Sequence, residues 1–461
     1  MHEFELVIEN GTLVDPERNK ITVGNLGICR GRIVAITREQ LSGRQHIDAG
    51  LAVVCPGFID IHTHVDNGLD GAYAMLKQGV TTAVGGNCGM GTGDMAGFFQ
   101  PFEYGGFPIH QLMFAGESFT LREKAGIVNP YQPATAEQIR QIAYLAEEAL
   151  EQGAAGISFG LEYAPGTSFE EIAAVSRVAA RYGKLVAIHT RHDGWAGLGA
   201  IKEAIDVTRL TGAAVQVSHL VYMVGMGMMA DAIRLLQEAV DSGLDITADS
   251  GMYHAFATHI GSAVFAAGCV EKWECQYSDL LVCTGPFAGE RCTKELYEEL
   301  RSNYPEELVV AYVGKEADIY TALAAEFVMV SSDGGLGSFI PGTGHPQNVG
   351  TFPRFFQTMV RERQQLSLLE AVRRCTLLPA GRLGLKNKGR LKVGCDADLV
   401  IFHPARIKDC AAYLGDGRPD AEPAGLECVI VNGHIAVRQG ELGAAVSGRS
   451  MKVENRCWNW M

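Results

Sequence analysis

The sequence predicts an α/β protein, a (β/α)₈ TIM barrel with a small β-sandwich domain built from both termini. Strand-like and helix-like segments alternate through the middle of the chain, and short strands with tight turns occupy both ends. The length of 461 residues suits a barrel of roughly 250 to 400 residues plus a smaller domain. We therefore expect sandwich parts at 1–54 and 385–461 around a barrel at 55–384.

The two ends of the chain resemble antiparallel strands joined by tight turns. Asn10-Gly11 separates the apolar runs 4–8 and 12–14, and Asn432-Gly433 follows the run 428–431. Asn-Gly is a strong signal for a two-residue hairpin turn. Neither end carries enough sheet to bury one face alone, so a single domain assembled from both ends is the economical arrangement.

The middle of the chain contains repeated βα units. Thr135 and Gln138 form a capping box before one helix, and Ser367 with Glu370 begins another. Repeated units of this kind give a parallel sheet, and about eight of them close a barrel. The candidate strands are 57–61, 81–85, 112–115, 156–159, 185–188, 214–217, 245–248, 308–313 and 327–330. These are nine strands for eight places, and we expect the surplus one between residues 110 and 190.

Composition excludes several classes of partner. The net charge of −14, without any Lys/Arg cluster, argues against nucleic acid and anionic lipid. The start of the chain lacks signal-peptide features, and no apolar run is long enough to span a membrane. The 12 cysteines are scattered, as expected for reduced thiols. We expect a cytoplasmic protein that acts on a small molecule; self-association into a homo-oligomer is common for such barrels.

Chemistry in a barrel of this kind sits at the carboxyl ends of the strands. His62 and His64 are two residues apart, so both imidazoles leave the same face of an extended strand and can bind one metal. Cys88 and His219 follow later strands, and thiolate and imidazole both suit Zn²⁺. Asp333 follows the last strand and could bind metal or take a proton from water. Alone, Cys88 would be typical of a buried thiol and Asp333 of a helix N-cap, but their position favours a metal site.

These residues resemble the amidohydrolase superfamily and, within it, the N-acyl-D-amino-acid deacylase (D-aminoacylase) branch. The resemblance covers most of the chain in ordered blocks. The blocks are 56–64 (PGFIDIHTH), 86–89 (GNCG), 153–166 (GAAGISFGLEYAPG), 189–191 (HTR), 218–219 (SH), 332–334 (SDG) and 397–400 (ADLV).

The resemblance implies a zinc enzyme with one tight metal site and room for a second, weaker one. Cys88 and His219, the latter matched to the fifth strand of the family, would hold the tight metal together with a histidine from the sixth strand. His62 and His64 would form the weaker site, and Asp333 would be the catalytic acid/base. Tyr163, His189 and Arg191 would bind the substrate, with Tyr163 and Arg191 near its carboxylate.

The chain departs from the branch in two places. Ser218-His219 continues Leu-Val-Tyr where the deacylases usually have a second His and a Lys. The segment from Asp249 reads Asp-Ser-Gly-Met-Tyr-His, without the usual proline. The third ligand of the tight site is therefore open between His254, which we prefer, and His259.

We expect a zinc-dependent hydrolase that cleaves the amide bond of N-acyl-D-amino acids or similar small amides. A cyclic amidohydrolase of the dihydroorotase or hydantoinase type is the alternative. It is disfavoured because those enzymes usually carry a carboxylated lysine, and no lysine stands at a plausible strand end. A non-catalytic metal-binding relative is a third reading, which the full set of candidate ligands disfavours.

Overall fold

The computed structural model describes residues 4–66, 68–335, 341–444 and 446–453. The last eight residues of the predicted second sandwich part lie outside this set. No helix among the described residues has the length and apolar character needed to cross a bilayer.

The strands of the described chain, in order, are β1 Phe4–Asp15, β2 Lys20–Cys29, β3 Arg32–Thr37, β4 Gly43–Asp48, β5 Val53–Pro56, β6 Phe58–Asp60, β7 Val80–Gly85, β8 His110–Gly116, β9 Gly156–Gly160, β10 Leu185–His189, β11 Ala214–Val217, β12 Ile246–Ser250, β13 Phe256–His259, β14 Leu280–Val282, β15 Leu308–Ala311, β16 Val328–Val330, β17 Leu399–Phe402, β18 Leu426–Val431, β19 His434–Arg438 and β20 Glu441–Leu442.

The α-helices are α1 Leu69–Lys77, α2 Met95–Gly105, α3 Arg122–Lys124, α4 Ala136–Glu151, α5 Phe169–Arg181, α6 Gly197–Thr211, α7 Leu220–Val224, α8 Met229–Asp241, α9 Cys269–Lys272, α10 Lys294–Asn303, α11 Glu316–Ala324, α12 Gln347–Phe355, α13 Leu368–Cys375 and α14 Leu377–Arg382. Two π-helical segments, Glu117–Leu121 and Phe356–Glu362, follow β8 and α12.

Eight parallel strands form the predicted barrel. They pair in the order β6-β7-β8-β9-β10-β11-β12-β16. The first and last strands approach each other just beyond their carboxyl ends, where the amide of His64 donates to the carbonyl of Gly334 at 2.7 Å and the amide of Asp333 to that of His62 at 2.9 Å. The helix-start predictions also hold, since the side chains of Thr135 and Ser367 accept from the third backbone amide of α4 and α13. The (β/α)₈ prediction is confirmed.

The surplus strand lies elsewhere than predicted. All three strands between residues 110 and 190 belong to the barrel, whereas β15, the candidate 308–313, pairs antiparallel with β13 and β14 in a separate sheet. An apolar run flanked by helices shows that a strand is buried but not which strand it pairs with. The correction changes the number of each later strand within the barrel by one. His189 therefore ends the fifth barrel strand. His219 follows the sixth barrel strand, whereas the prediction placed it after the fifth.

The strands from both ends of the chain form one sheet. In it β1 pairs with β2 and β5, and β17 joins β5 to β18 from the far end of the sequence. This sheet encloses its own apolar core, separate from the core between barrel and helices. Both halves are needed to bury that core, as the sequence predicts.

A buried ion cluster lies where the terminal sheet meets the barrel; we call its four residues, His110, Lys388, Asp396 and Asp398, the junction cluster. His110 Nε2 lies 3.0 Å from Asp398 Oδ1, and its Nδ1 accepts from the backbone amide of Arg449 at 3.2 Å. Lys388 pairs with Asp398 and, at 3.2 Å, with Asp396. Burial, and then the nearby ammonium of Lys388, lower the pKa of His110. The imidazole is therefore neutral, consistent with an acceptor at Nδ1.

Candidate metal centre and reaction pocket

Chemically competent side chains end seven of the eight barrel strands at the same face, because the strands are parallel. The residues are His62 and His64 after β6, Cys88 after β7, Glu162 and Tyr163 after β9, His189 at the end of β10, His219 after β11, Asp249 within β12 and Asp333 after β16. Each is buried or nearly so.

Four of these side chains converge on one point; we call His62, Cys88, His219 and Asp333 the metal cluster. One potential ligand atom from each lies within 4.8 Å of all the others. Cys88 Sγ is 3.4 Å from Nε2 of both His62 and His219. Asp333 Oδ1 is 3.2 Å from Nε2 of His62 and 3.2 Å from Nε2 of His64. Sulfur, imidazole nitrogen and carboxylate oxygen are the ligand types that Zn²⁺ prefers.

Three of the four cluster residues adopt left-handed backbone conformations. The φ angles are 54° at Cys88, 30° at His219 and 54° at Asp333. Non-glycine residues rarely adopt such angles, and those that do concentrate at functional sites. The sharp turn directly after each strand directs these side chains into the centre of the barrel face.

Asp249, within β12, contacts two residues of the metal cluster through its carboxylate. The sequence analysis did not assign this role. Its Oδ1 accepts from the backbone amide of His219 at 2.9 Å and from the hydroxyl of Ser331 at 2.7 Å. The same oxygen lies 3.4 Å from Nδ1 of His62, so the carboxylate orients that ring. The available signal was an aspartate inside a buried barrel strand.

The electrostatics of the site favour a bound cation. Burial by itself raises the pKa of the Cys88 thiol, but the charges of His62 and His219 hold it well below its usual range. Burial likewise opposes ionisation of Asp333, yet contacts with His62 and His64 hold its pKa well below the usual range. Although burial lowers the pKa of an imidazole, Asp333 and Cys88 raise that of His64 to about 10. The buried thiolate and carboxylate thus keep a neighbouring imidazole protonated when no metal ion supplies the positive charge.

Orphaned polar atoms also fit a metal ion. Among the described residues, His189 Nδ1 is buried without a hydrogen-bond partner, and Asp333 Oδ1 is buried beside the imidazole nitrogens of His62 and His64, at 3.2 Å from each. Such atoms are rare in folded proteins unless a ligand, ion or water satisfies them. The imidazole of His189 touches Cys88, and the same contact raises its pKa to about 9 against the lowering effect of burial. His189 is therefore placed to be a further ligand.

The structure does not bring His254 or His259 into the metal cluster. His254 is half-buried, with its ring 6.0 Å from that of Tyr312 and 5.7 Å from that of Tyr413. His259 Nδ1 lies 2.7 Å from the carbonyl oxygen of Glu306. The expectation of a ligand after Asp249 followed from counting that strand as the sixth, and it is the seventh. The sixth strand supplies His219 and the fifth supplies His189.

Of the residues predicted to contact the substrate carboxylate, Tyr163 lies at the cavity and Arg191 is engaged elsewhere. Tyr163 lines the cavity beside the metal cluster, and its hydroxyl bonds to that of Thr258 at 3.0 Å. Arg191 instead makes a paired contact with Glu203 on α6, at 2.9 to 3.1 Å, and donates to the carbonyl of Pro165. Its charge is thus already balanced by a carboxylate.

The cavity beside the metal cluster is narrow, with a volume of about 20 Å³, which is room for one water molecule. Its further walls are Glu162, Asp193, Tyr222, Met223, Phe256 and Val264. Phe256 and Val264 come from the segment 251–314, which carries β13–β15, so this segment closes one side of the cavity. Tyr163 also lines an adjacent cleft of about 600 Å³. The narrow cavity and the wider cleft thus share Tyr163 as a common wall.

Comparison with known proteins agrees with this geometry. Residues 53–436 match the model of the amidohydrolase family. The D-aminoacylase of Alcaligenes xylosoxydans xylosoxydans is 30% identical over 463 residues, which cover 93% of this chain and 94% of that protein.

Solved structures extend the similarity. A crystal structure of D-aminoacylase superposes with a TM-score of 0.86 at 28% identity, covering 97% of this chain and 99% of the other. The N-acyl-D-glutamate deacylase of Bordetella bronchiseptica, in complex with zinc and a phosphonate inhibitor, also gives a TM-score of 0.86, at 25% identity, covering 98% of this chain and 100% of the other. The chain belongs to the amidohydrolase family and is a hydrolytic enzyme.

Proposed function

We propose that this protein is a zinc-dependent deacylase that hydrolyses the amide bond of N-acyl-D-amino acids or similar small amides. The observation that carries the proposal is the convergence of Cys88, His62, His219 and Asp333 within 4.8 Å at the barrel face. The substrate class follows the relatives named above, which match this chain over nearly its whole length.

The ligand assignment follows the contacts of Cys88. Cys88, His189 and His219 would form the tight site, because both histidines touch the thiol, whereas His62 divides its contacts between the thiol and Asp333. His62 and His64 would contribute to a second, weaker site, since both face Asp333 at 3.2 Å. His189 thus moves from the predicted substrate-binding set to the ligand set, in place of His254.

A Zn²⁺ ion held by these residues would supply Lewis acidity, which would polarise the amide carbonyl and lower the pKa of the attacking water towards roughly 7. Asp333 is the proton carrier. Its carboxylate takes the proton of the attacking water and returns it to the leaving nitrogen, so that a neutral amine departs. His62 and His64 hold Oδ1 of Asp333 in place, and Asp249 holds His62. The walls at Tyr163, Tyr222 and Phe256 exclude bulk water.

The free thiols of the described chain support a reducing compartment, and we place the enzyme in the cytoplasm.

The test is amino-acid release by the zinc-loaded protein from N-acyl-D- and N-acyl-L-amino acids, with hydantoins and dihydroorotate as ring-opening controls. Release from D-substrates alone is expected. Ring opening without deacylation would overturn the proposal in favour of a cyclic amidohydrolase, and no turnover of any amide would favour a non-catalytic relative.

A further inference from the structure

One wall of the reaction cavity carries an uneven set of charges; we call its three residues, Glu162, Asp193 and Lys272, the acidic wall. Glu162 and Asp193 line the cavity and are 7% and 1% exposed. Lys272 ends α9 and bridges them, with Nζ 2.9 Å from Glu162 Oε1 and 2.6 Å from Asp193 Oδ1. Two carboxylates thus face one ammonium.

The neighbours of the acidic wall do not supply the missing positive charge. Glu162 Oε2 lies 3.2 Å from Nε2 of His189, which under the proposed function would be a neutral metal ligand. Asp193 Oδ2 accepts from the indole of Trp273 at 2.6 Å, a neutral donor. Asp193 Oδ1 is buried and lies 2.6 Å from the ammonium of Lys272, which also contacts Glu162. The wall therefore places two buried carboxylates around a single ammonium beside the cavity.

The raised pKa of Asp193 is consistent with two carboxylates sharing one ammonium. Burial, and then the charge of Glu162, raise its pKa to about 7 even with Lys272 in contact. The undescribed residues next in sequence to site residues are Asn67 and the segment 336–340 (LGSFI), which contain no Lys or Arg. Arg191 is already paired with Glu203.

Apolar surface lies beside the acidic wall. Met223, Phe256 and Val264 line the same cavity, and the ring of Trp273 packs against that of Phe256 at 5.4 Å. An apolar surface that leads to buried carboxylates suits a side chain with a methylene stem and a cationic end. It opposes a substrate with a second carboxylate, because like charges brought together in a buried site repel strongly.

We propose that the acidic wall selects amide substrates whose amine part ends in an ammonium or guanidinium group, such as N-acyl derivatives of basic D-amino acids. The assignment rests on the proposed function and adds its substrate class. The substrate cation would bind Asp193 Oδ1 next to Lys272, with its stem on Met223 and Phe256. The chain would then differ from its N-acyl-D-glutamate deacylase relative, whose substrate carries the opposite charge at that end.

The first test compares kcat/KM of the zinc-loaded protein for N-acetyl-D-lysine, N-acetyl-D-norleucine and N-acetyl-D-glutamate. Lysine and norleucine derivatives share a similar stem and differ in the terminal charge. We expect the lysine derivative to exceed the norleucine derivative by about tenfold or more, and the glutamate derivative to be the poorest. A preference for glutamate, or equal rates for lysine and norleucine, would overturn the assignment while leaving the deacylase proposal intact.

Two variants with opposite expected effects separate recognition from a purely structural role. Asp193→Asn removes one negative charge, so the lysine-to-norleucine ratio should fall to about threefold or less. Lys272→Met removes the competing ammonium and leaves both carboxylates, so the ratio should rise above that of the unmodified protein. A structural role would lower both substrates together and leave the ratio unchanged in both variants, which would also overturn the assignment.

Folding, measured by circular dichroism, and zinc content should be checked for each variant. If one of the two variants does not fold, the lysine-to-norleucine ratio of the other variant tests the assignment. Absence of turnover with all three substrates would overturn the proposed function and this assignment with it.

Discussion

The two ends of the barrel each bury a cluster of ionisable side chains, and the clusters differ in how their atoms are satisfied. In the junction cluster, both nitrogens of His110 and both oxygens of Asp398 have partners. In the metal cluster, Asp333 Oδ1 faces only other potential metal ligands among the described residues, and the neighbouring His189 Nδ1 lacks a hydrogen bond there. A closed set of charges stabilises the junction of two sheets, whereas a set with open positions is prepared for a ligand.

The largest effect should come from replacing the proton carrier. Asp333→Asn keeps an oxygen in place but cannot take a proton, so kcat should fall by about 10³-fold or more. Zinc content, measured by atomic absorption, should stay close to that of the unmodified protein. If the variant keeps substantial turnover, Asp333 is not the acid/base and the metal cluster acts in another way.

The next effect concerns the identity of the ligands. His189→Ala removes a nitrogen next to Cys88 and should weaken zinc binding by more than the roughly 10- to 100-fold that loss of an outer partner costs. Competition with a chelator of known affinity measures this change directly.

His254→Ala is the matched control, because that ring packs only against aromatic neighbours in the contacts seen. Its zinc affinity should be unchanged. The reverse result, with His254→Ala losing zinc and His189→Ala keeping it, would restore the ligand that the sequence analysis preferred.

The junction cluster should show its role in stability instead. Asp398→Asn leaves the buried ammonium of Lys388 with Asp396 as its remaining acidic partner, and breaking a buried pair costs about 3–5 kcal/mol. Urea unfolding of both proteins gives the difference in free energy, and kcat/KM per folded molecule should stay the same. A loss of activity without a loss of stability would contradict the division between the two clusters.

The smallest effect should be a change in pH dependence. His110 has a folded-state pKa below its ordinary value of 6.5, so the unfolded chain binds the proton more readily. Its contribution therefore lowers the free energy of unfolding as the pH falls below about 6.5.

His110→Gln can donate to Asp398 and accept from Arg449 without titrating. Comparing unfolding midpoints at about pH 7 and about pH 5, we expect the variant to lose less stability than the unmodified protein. An equal loss in both proteins would mean that His110 does not titrate between these states.

Most of the strand ends that form the metal cluster could be predicted from the sequence, but the pairing of one strand could not. The strand ends carrying His62, Cys88 and Asp333 were identifiable because each motif follows an apolar run directly, and a parallel barrel brings such ends together. What failed was the strand count, since β15 has the apolar character of a barrel strand but pairs outside the barrel. That miscount led to His254 as the expected third ligand, where the proposed assignment has His189.

Contacts between segments distant in the chain also could not be predicted from the sequence. Glu162 and Asp193 are ordinary acids in a linear reading, and their common partner Lys272 lies about eighty residues or more further along the chain. Arg191 was expected at the substrate carboxylate, but Glu203 on the next helix engages it. Such pairings depend on tertiary packing, which residue type and spacing do not determine.

The left-handed backbone at Cys88, His219 and Asp333 has a consequence for how this enzyme can change. Each such conformation costs of order 1 kcal/mol or more for a residue with a side chain, and glycine would relieve it. Selection for thermal tolerance alone would therefore favour glycine at positions that the chemistry requires. A stabilised form of this enzyme should be sought elsewhere in the chain, with these three positions held fixed.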